Sequence, residues 1–166
     1  MDLNRTRVFR LSACSREQRI REAQREAARV YAHCAALHTA ARHAHARWPG
    51  RRELQAATRG QFALHSQTVQ AIRDEFLANI ETTRALRRKG CRAARYPQWQ
   101  AEARPQTVAA YRPLTWPAQA VALQHGRLIL PMGRGRKSLV FARPDGFPEE
   151  LYSSVNHGAY KYVIGS

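Results

Sequence analysis

Six basic side chains follow one another between residues 84 and 95 with no acid among them: Arg84, Arg87, Arg88, Lys89, Arg92 and Arg95. Tyr96, Pro97 and Trp99 close the run. Guanidinium groups fork onto phosphate oxygens, and aromatic rings offer stacking surface to unpaired bases. Such a run suits capture of a polyanion, and nucleic acid is favoured over a merely solvated face. A second basic segment, PMGRGRK at 131–137, sets Arg134, Arg136 and Lys137 among glycines. Its amides and cations could lie against phosphates, or it could be a plain exposed hairpin loop. Tyr111 and Trp116 extend the set of rings that could stack, although singly each ring is a core residue by default.

Chemistry that breaks bonds finds few residues to use. Asp2, Asp74 and Asp145 are the only aspartates; one is terminal, one sits on an exposed helix face and one in a turn. A Mg²⁺-dependent nuclease needs two or three converging carboxylates. Glu149 and Glu150 lie near Asp145, but adjacent side chains diverge on an extended chain. No catalytic set and no Walker-type phosphate loop is present. His33, Cys34, His38, His43 and His45 cluster, with Cys34 and His38 four apart. A structural zinc needs four ligands, so packing on a helix face is the expectation, with no metal and no cofactor.

Charge fits a polyanion partner. The 166 residues carry 28 Lys+Arg against 12 Asp+Glu, a formal +16. Only Lys89, Lys137 and Lys161 are lysines; a GC-rich codon bias explains Arg over Lys but not the excess over acids. Cys14, Cys34 and Cys91 are odd in number and widely spaced, which fits free thiols in a reducing compartment. No apolar run is long enough to span a membrane, and no secretory signal opens the chain, so a soluble cytoplasmic protein is expected.

Elements must position these residues. Residues 5–11 (RTRVFRL) predict a first strand. Ser15 with Gln18 predicts a capping box, then a long helix to about residue 47. Its inner stripe is Ile20, Ala23, Ala27, Val30, Tyr31, Cys34, His38 and Ala41, and Trp48-Pro49-Gly50 ends it. A short helix is expected over 51–58. Val69, Ile72, Phe76, Ile80 and Thr83 share a face of the next helix, with Ser66 as N-cap, Gly90 as stop, and Arg73, Asp74, Glu75 and Glu81 in water. The two long helices would pack antiparallel. Strands take over afterwards: 107–112, a hairpin of 120–123 with 127–130, then 138–142, and a last hairpin of 151–155 with 159–164. That last strand has almost nothing after it, as in a chain cut mid-fold.

Taken in order, these segments resemble the transposon-encoded OrfB/TnpB proteins. The opening TRVFRLSACSREQ, the HSQTVQAI helix, the YPQW segment and the block AYRPLTWPAQAVALQHGRLILPMGRGR carry the likeness. In that block Gly126, Leu128, Leu130 and Pro131 match a Gly-x-Leu-x-Leu-Pro core. The family consists of RNA-guided DNA nucleases related to type V CRISPR effectors. Their N-terminal half is a wedge-like β-barrel with an inserted helical recognition lobe; their C-terminal half is a RuvC-like nuclease with an acidic triad and a zinc ribbon. This chain has neither the triad nor a C-x-x-C pair, and Ala13 stands where proline is usual. The resemblance thus implies only the binding half.

The expectation is an α+β protein: a small antiparallel barrel (1–14 and 96–166), incomplete and wedge-like, interrupted by a helical lobe (15–95). It would bind guide-type RNA and DNA without cleaving and without touching a membrane, with any nuclease half supplied separately. Arg84, Arg87, Arg88, Lys89, Arg92 and Arg95 would neutralise phosphates, Trp99 would stack, and Arg134, Arg136 and Lys137 would hold a second strand. The rival expectation is a helical adaptor whose alanine stripe pairs with a partner protein.

Overall fold

The computed structural model describes residues 16–97, 111–145 and 161–164. Among these residues three helices, α1 (Glu17–His43), α2 (Arg51–Thr58) and α3 (Ser66–Arg88), precede five short strands. These are β1 (Leu114–Pro117), β2 (Ala122–Gln124), β3 (Arg127–Leu130), β4 (Leu139–Ala142) and β5 (Lys161–Ile164), so the class is α+β.

The helix ends are set by backbone geometry more than by side-chain caps. Arg16 is the N-cap of α1 and makes no side-chain cap bond; Ser15 lies outside the described residues. α1 stops at His43, short of the expected residue 47. The His45 N–H donates to the Arg42 carbonyl at 3.2 Å and the Ala46 N–H to the Ala41 carbonyl at 2.9 Å. With His45 at φ 50, this is a Schellman turn built on a residue other than glycine. α3 closes in the same way. Gly90 (φ 86) donates to Arg87 and Cys91 to Leu86, both at 3.0 Å. At its start His65 is the N-cap, so Ser66 is the first helical residue and not the cap. In α2 the Glu53 carboxylate accepts the Gly50 N–H at 3.1 Å.

The two long helices run in the same direction, against the antiparallel expectation. Ala63, just ahead of α3, donates to Glu26 near the start of α1, Asn79 donates to Tyr31, and Arg42 and Arg87 at the two far ends share the Tyr96 ring. A parallel pair needs a return path, and α2 with the loop after it supplies one. Close approach follows from the alanines, since Ala23, Ala27 and Ala35 are fully buried.

Two clusters make the core. The larger joins Ile20, Val30, Leu64, Val69 and Ile72 of the helical half to Leu114, Trp116, Leu128, Leu130, Leu139 and Phe141 of the strand half. The smaller gathers Cys34, Ala35, Leu54, Phe76 and Ile80. Burying a ring such as Phe76 contributes roughly 2–3 kcal/mol. The stripe expected on α3 is buried throughout, but Arg73, expected in water, is buried too, at 9% exposure. It flanks the stripe between Ile72 and Phe76, and α3 is packed by α1, α2 and β1, so its dry face is wider than five residues. Its Nε and Nη1 have no hydrogen-bond partner among the described residues.

β2, β3 and β4 form an open antiparallel meander. The β2–β3 register pairs Leu123 with Leu128 and closes at Gln124 and Arg127. Only His125 (φ 49) and Gly126 (φ 68) turn the chain there, a pattern of two positive φ values that fits the twist of a two-residue hairpin. A 3-10 turn, Ala118–Ala120, delays β2 relative to the expected start at 120. β1 pairs antiparallel with β5, Leu114 opposite Ile164 and Pro117 opposite Lys161. The Trp116 Nε1–H donates to the Pro131 carbonyl at 2.8 Å, tying β1 to the end of β3. Tyr111 and Arg112, the described part of the strand expected over 107–112, lie in no strand. The strands expected over 5–11 and 151–155 fall outside the described residues, as does Trp99. Among the described helices, none is long and apolar enough to cross a membrane.

Candidate nucleic-acid interface

The basic run continues α3 beyond its Schellman turn. Each turn of that helix end is fixed from inside. The Arg87 Nη1 donates to the Ala94 carbonyl at 3.0 Å, and the Thr83 hydroxyl to the Arg95 carbonyl at 3.4 Å. Tyr96 then plugs into the helical pair. Its ring lies 5.2 Å from Trp48 and 5.6 Å from His38, with the guanidinium groups of Arg42 and Arg87 at 4.9 and 5.7 Å. A cation over an aromatic face is held by the ring quadrupole, worth about 0.5–1 kcal/mol at an exposed site. Arg84 stacks 4.9 Å over Trp48 and pairs with Glu81 at 2.7 Å. Arg84 and Arg87 therefore build the platform.

The other four cations stand on it. Arg88, Lys89, Arg92 and Arg95 are exposed, and none of their side chains has a hydrogen-bond or ion-pair partner among the described residues. This contrasts with the arginines along α1. There Arg21 pairs with Glu17 at 2.5 Å and Arg29 with Glu26 at 2.8 Å, and Arg25 donates to the Tyr111 hydroxyl at 2.7 Å. Arg112 pairs with Glu75 and lies 3.6 Å over the Tyr31 ring. Trp116, one of the rings considered for stacking, is core at 1% exposure.

The second basic segment lies at the opposite end of α3. Gly133 (φ 131) presses on the chain just before the helix; a Cβ there would sit 2.2 Å from the Ala63 carbonyl oxygen. The Arg136 N–H turns back to the Gly133 carbonyl at 3.2 Å, and Arg19 donates to the Lys137 carbonyl. Arg134, Arg136 and Lys137 are exposed. Arg136 and Lys137 line a cleft of about 390 Å³ with Arg19, Glu22 and Met132. The two segments are separated by the length of the 23-residue helix α3, roughly 35 Å at 1.5 Å per residue.

The titratable groups near the platform are dry. Burial pushes the Cys34 thiol up to about 11, against the opposing charge of Arg73. Burial, then the Arg42 and Arg84 guanidinium groups, lowers the pKa of His38, whose ring is enclosed by Trp48, Phe76 and Tyr96. Cys34 and His38 pack as inner-stripe residues, and no group of three or more His, Cys, Asp or Glu among the described residues is placed to hold a metal ion. Sequence reasoning missed the His38–Trp48–Tyr96 enclosure, the bond from Arg19 to the glycine loop and the placement of Glu22 beside that loop. Trp48-Pro49 reads locally as a helix stop, and no local signal marks either tertiary contact.

No protein-family model, no characterised protein and no solved structure matches the chain.

Proposed function

We propose that this chain binds structured nucleic acid through the basic end of α3 and does not cut it. The observation that carries the reading is the array Arg88, Lys89, Arg92 and Arg95: four neighbouring cations whose side chains have no partner among the described residues, on a backbone held by Arg87, Thr83 and Tyr96. Uncommitted arginines on a fixed frame neutralise phosphates without first losing an internal ion pair. The glycine loop provides a second contact roughly 35 Å away, about one turn of duplex.

In this reading the chain acts as the binding half of an OrfB/TnpB-type RNA-guided protein. The ligands are a guide-type RNA and its DNA target, and any nuclease acts from elsewhere. Sequence is then read by base pairing and the protein reads shape. The two strand ladders belong to one small wedge-like barrel interrupted by the helical lobe. The adaptor reading is weaker, because the alanine stripe it would use is already buried within the chain.

The test is what accompanies the protein. Purified at moderate salt, it should carry a discrete RNA species that high salt removes. Heterogeneous RNA and DNA would reduce the reading to a +16 surface that collects polyanions. Protein free of nucleic acid would remove it.

A further inference from the structure

The cleft beside the glycine loop has a composition that phosphate binding alone does not call for. Arg19, Arg136 and Lys137 line it together with one carboxylate, Glu22, and the thioether of Met132. Three cations suit an anion. A carboxylate in the same cleft repels one, and the floor that buried Met132 helps to form gains nothing from one. A ligand satisfying all five carries an anionic end, a flat apolar body and an edge of N–H donors. An unpaired nucleotide has these three parts.

We propose that the cleft holds a single unpaired nucleotide of the bound nucleic acid, with guanine as the preferred base. The inference rests on the nucleic-acid reading above and adds a base-selective site to it. Arg136, Lys137 and Arg19 face the phosphate, Glu22 accepts from the base edge, and the base rests on the cleft floor, to which Met132, 3% exposed, contributes. Guanine offers a ring N–H beside an amino group, a pair that one carboxylate accepts together. Uracil offers one N–H flanked by two carbonyl oxygens, which a carboxylate repels. Glu22 already accepts one hydrogen bond, from the Gln18 amide at 3.1 Å, which leaves most of its lone-pair sites for a ligand.

Size and rigidity agree with this assignment. About 390 Å³ lies at the small end of ligand sites, roughly 300–1,000 Å³, and admits one nucleotide but not a duplex. The loop is fixed at three points before any ligand arrives: Gly133 against Ala63, Arg136 turned onto Gly133, and Lys137 held by Arg19. The chain under Gly133 is held in turn, since the Ala63 N–H donates to Glu26 at 3.1 Å. Preorganisation of this kind removes an ordering cost from binding.

The test uses the full chain, titrated calorimetrically with guanosine 5′-monophosphate, uridine 5′-monophosphate and inorganic phosphate, with binding of a mixed-sequence RNA measured in parallel. The guanine nucleotide should bind about tenfold more tightly than the uridine nucleotide. Glu22→Gln should bring the two within about twofold, while Lys137→Ala should weaken both equally. Equal affinity of the wild-type protein for both nucleotides and phosphate, with RNA binding intact, overturns the base-selective site and leaves the nucleic-acid reading standing. Loss of RNA binding together with nucleotide binding overturns both.

Discussion

The two basic segments solve the same problem in opposite ways. At the end of α3, side chains hold the backbone from within, and the four exposed cations have no side-chain partner among the described residues. In the glycine loop the backbone itself is pressed onto the helices, and its cations border a cleft. The first arrangement presents charge with little shape, which suits phosphates of any sequence. The second presents shape together with charge, which suits selection among bases. In the proposed reading, strength of attraction and selectivity therefore sit at opposite ends of one helix.

The largest effect that would break this contrast is at Gly133. A Cβ there meets the Ala63 carbonyl oxygen, and φ 131 is strained for any L side chain. Gly133→Ala should cost about 3 kcal/mol in a denaturant titration and abolish nucleotide selectivity while the α3 end still binds RNA. An unchanged midpoint would mean the loop is not seated as described. Next is Tyr96→Ala, which removes the ring shared by Arg42 and Arg87 and should cost about 2 kcal/mol. RNA affinity should drop with little change in salt slope, because the cations remain but their frame is loosened. A smaller effect sharpens the contrast from the other side. His45→Gly relieves a positive φ in the Schellman turn of α1 and should add about 1 kcal/mol of stability, whereas Gly90→Ala should remove about as much.

The smallest effect is in pH. His38 has a folded pKa below the ordinary 6.5, chiefly through burial, and His65 is shifted the same way by burial. As pH falls, the unfolded state takes up these protons first. Stability is thus complete above about pH 6.5 and declines as pH drops from there toward the lowered folded values. His38→Phe should flatten the part of that decline due to the platform, read as thermal midpoint against pH.

Helix faces were legible from spacing: every residue of the expected α3 stripe is buried, and Gly90 ends that helix. Arg73 was misplaced because charge argues for water, while the helices packed around α3 leave it dry. The parallel course of α1 and α3 was hidden because two helices joined by a bend suggest a hairpin, and only α2 with its flanking loops shows the return. β1 was hidden by Pro113 and Pro117, residues that argue against a central strand; an edge pairing with β5 accommodates them. At the candidate site, composition singled out both basic segments. It could not separate Arg84 and Arg87, which stack and brace, from Arg88, Lys89, Arg92 and Arg95, because that division is made by Trp48, Tyr96 and the Ala94 carbonyl.

The measurement that bears most directly on the central claim is the salt dependence of RNA binding by the wild-type chain and by Arg88→Ala/Arg92→Ala/Arg95→Ala. Three lost phosphate contacts should reduce the slope of log affinity against log salt by about 2–3, with the denaturation midpoint unchanged. A slope that stays the same would show that the exposed array at the end of α3 does not touch the nucleic acid.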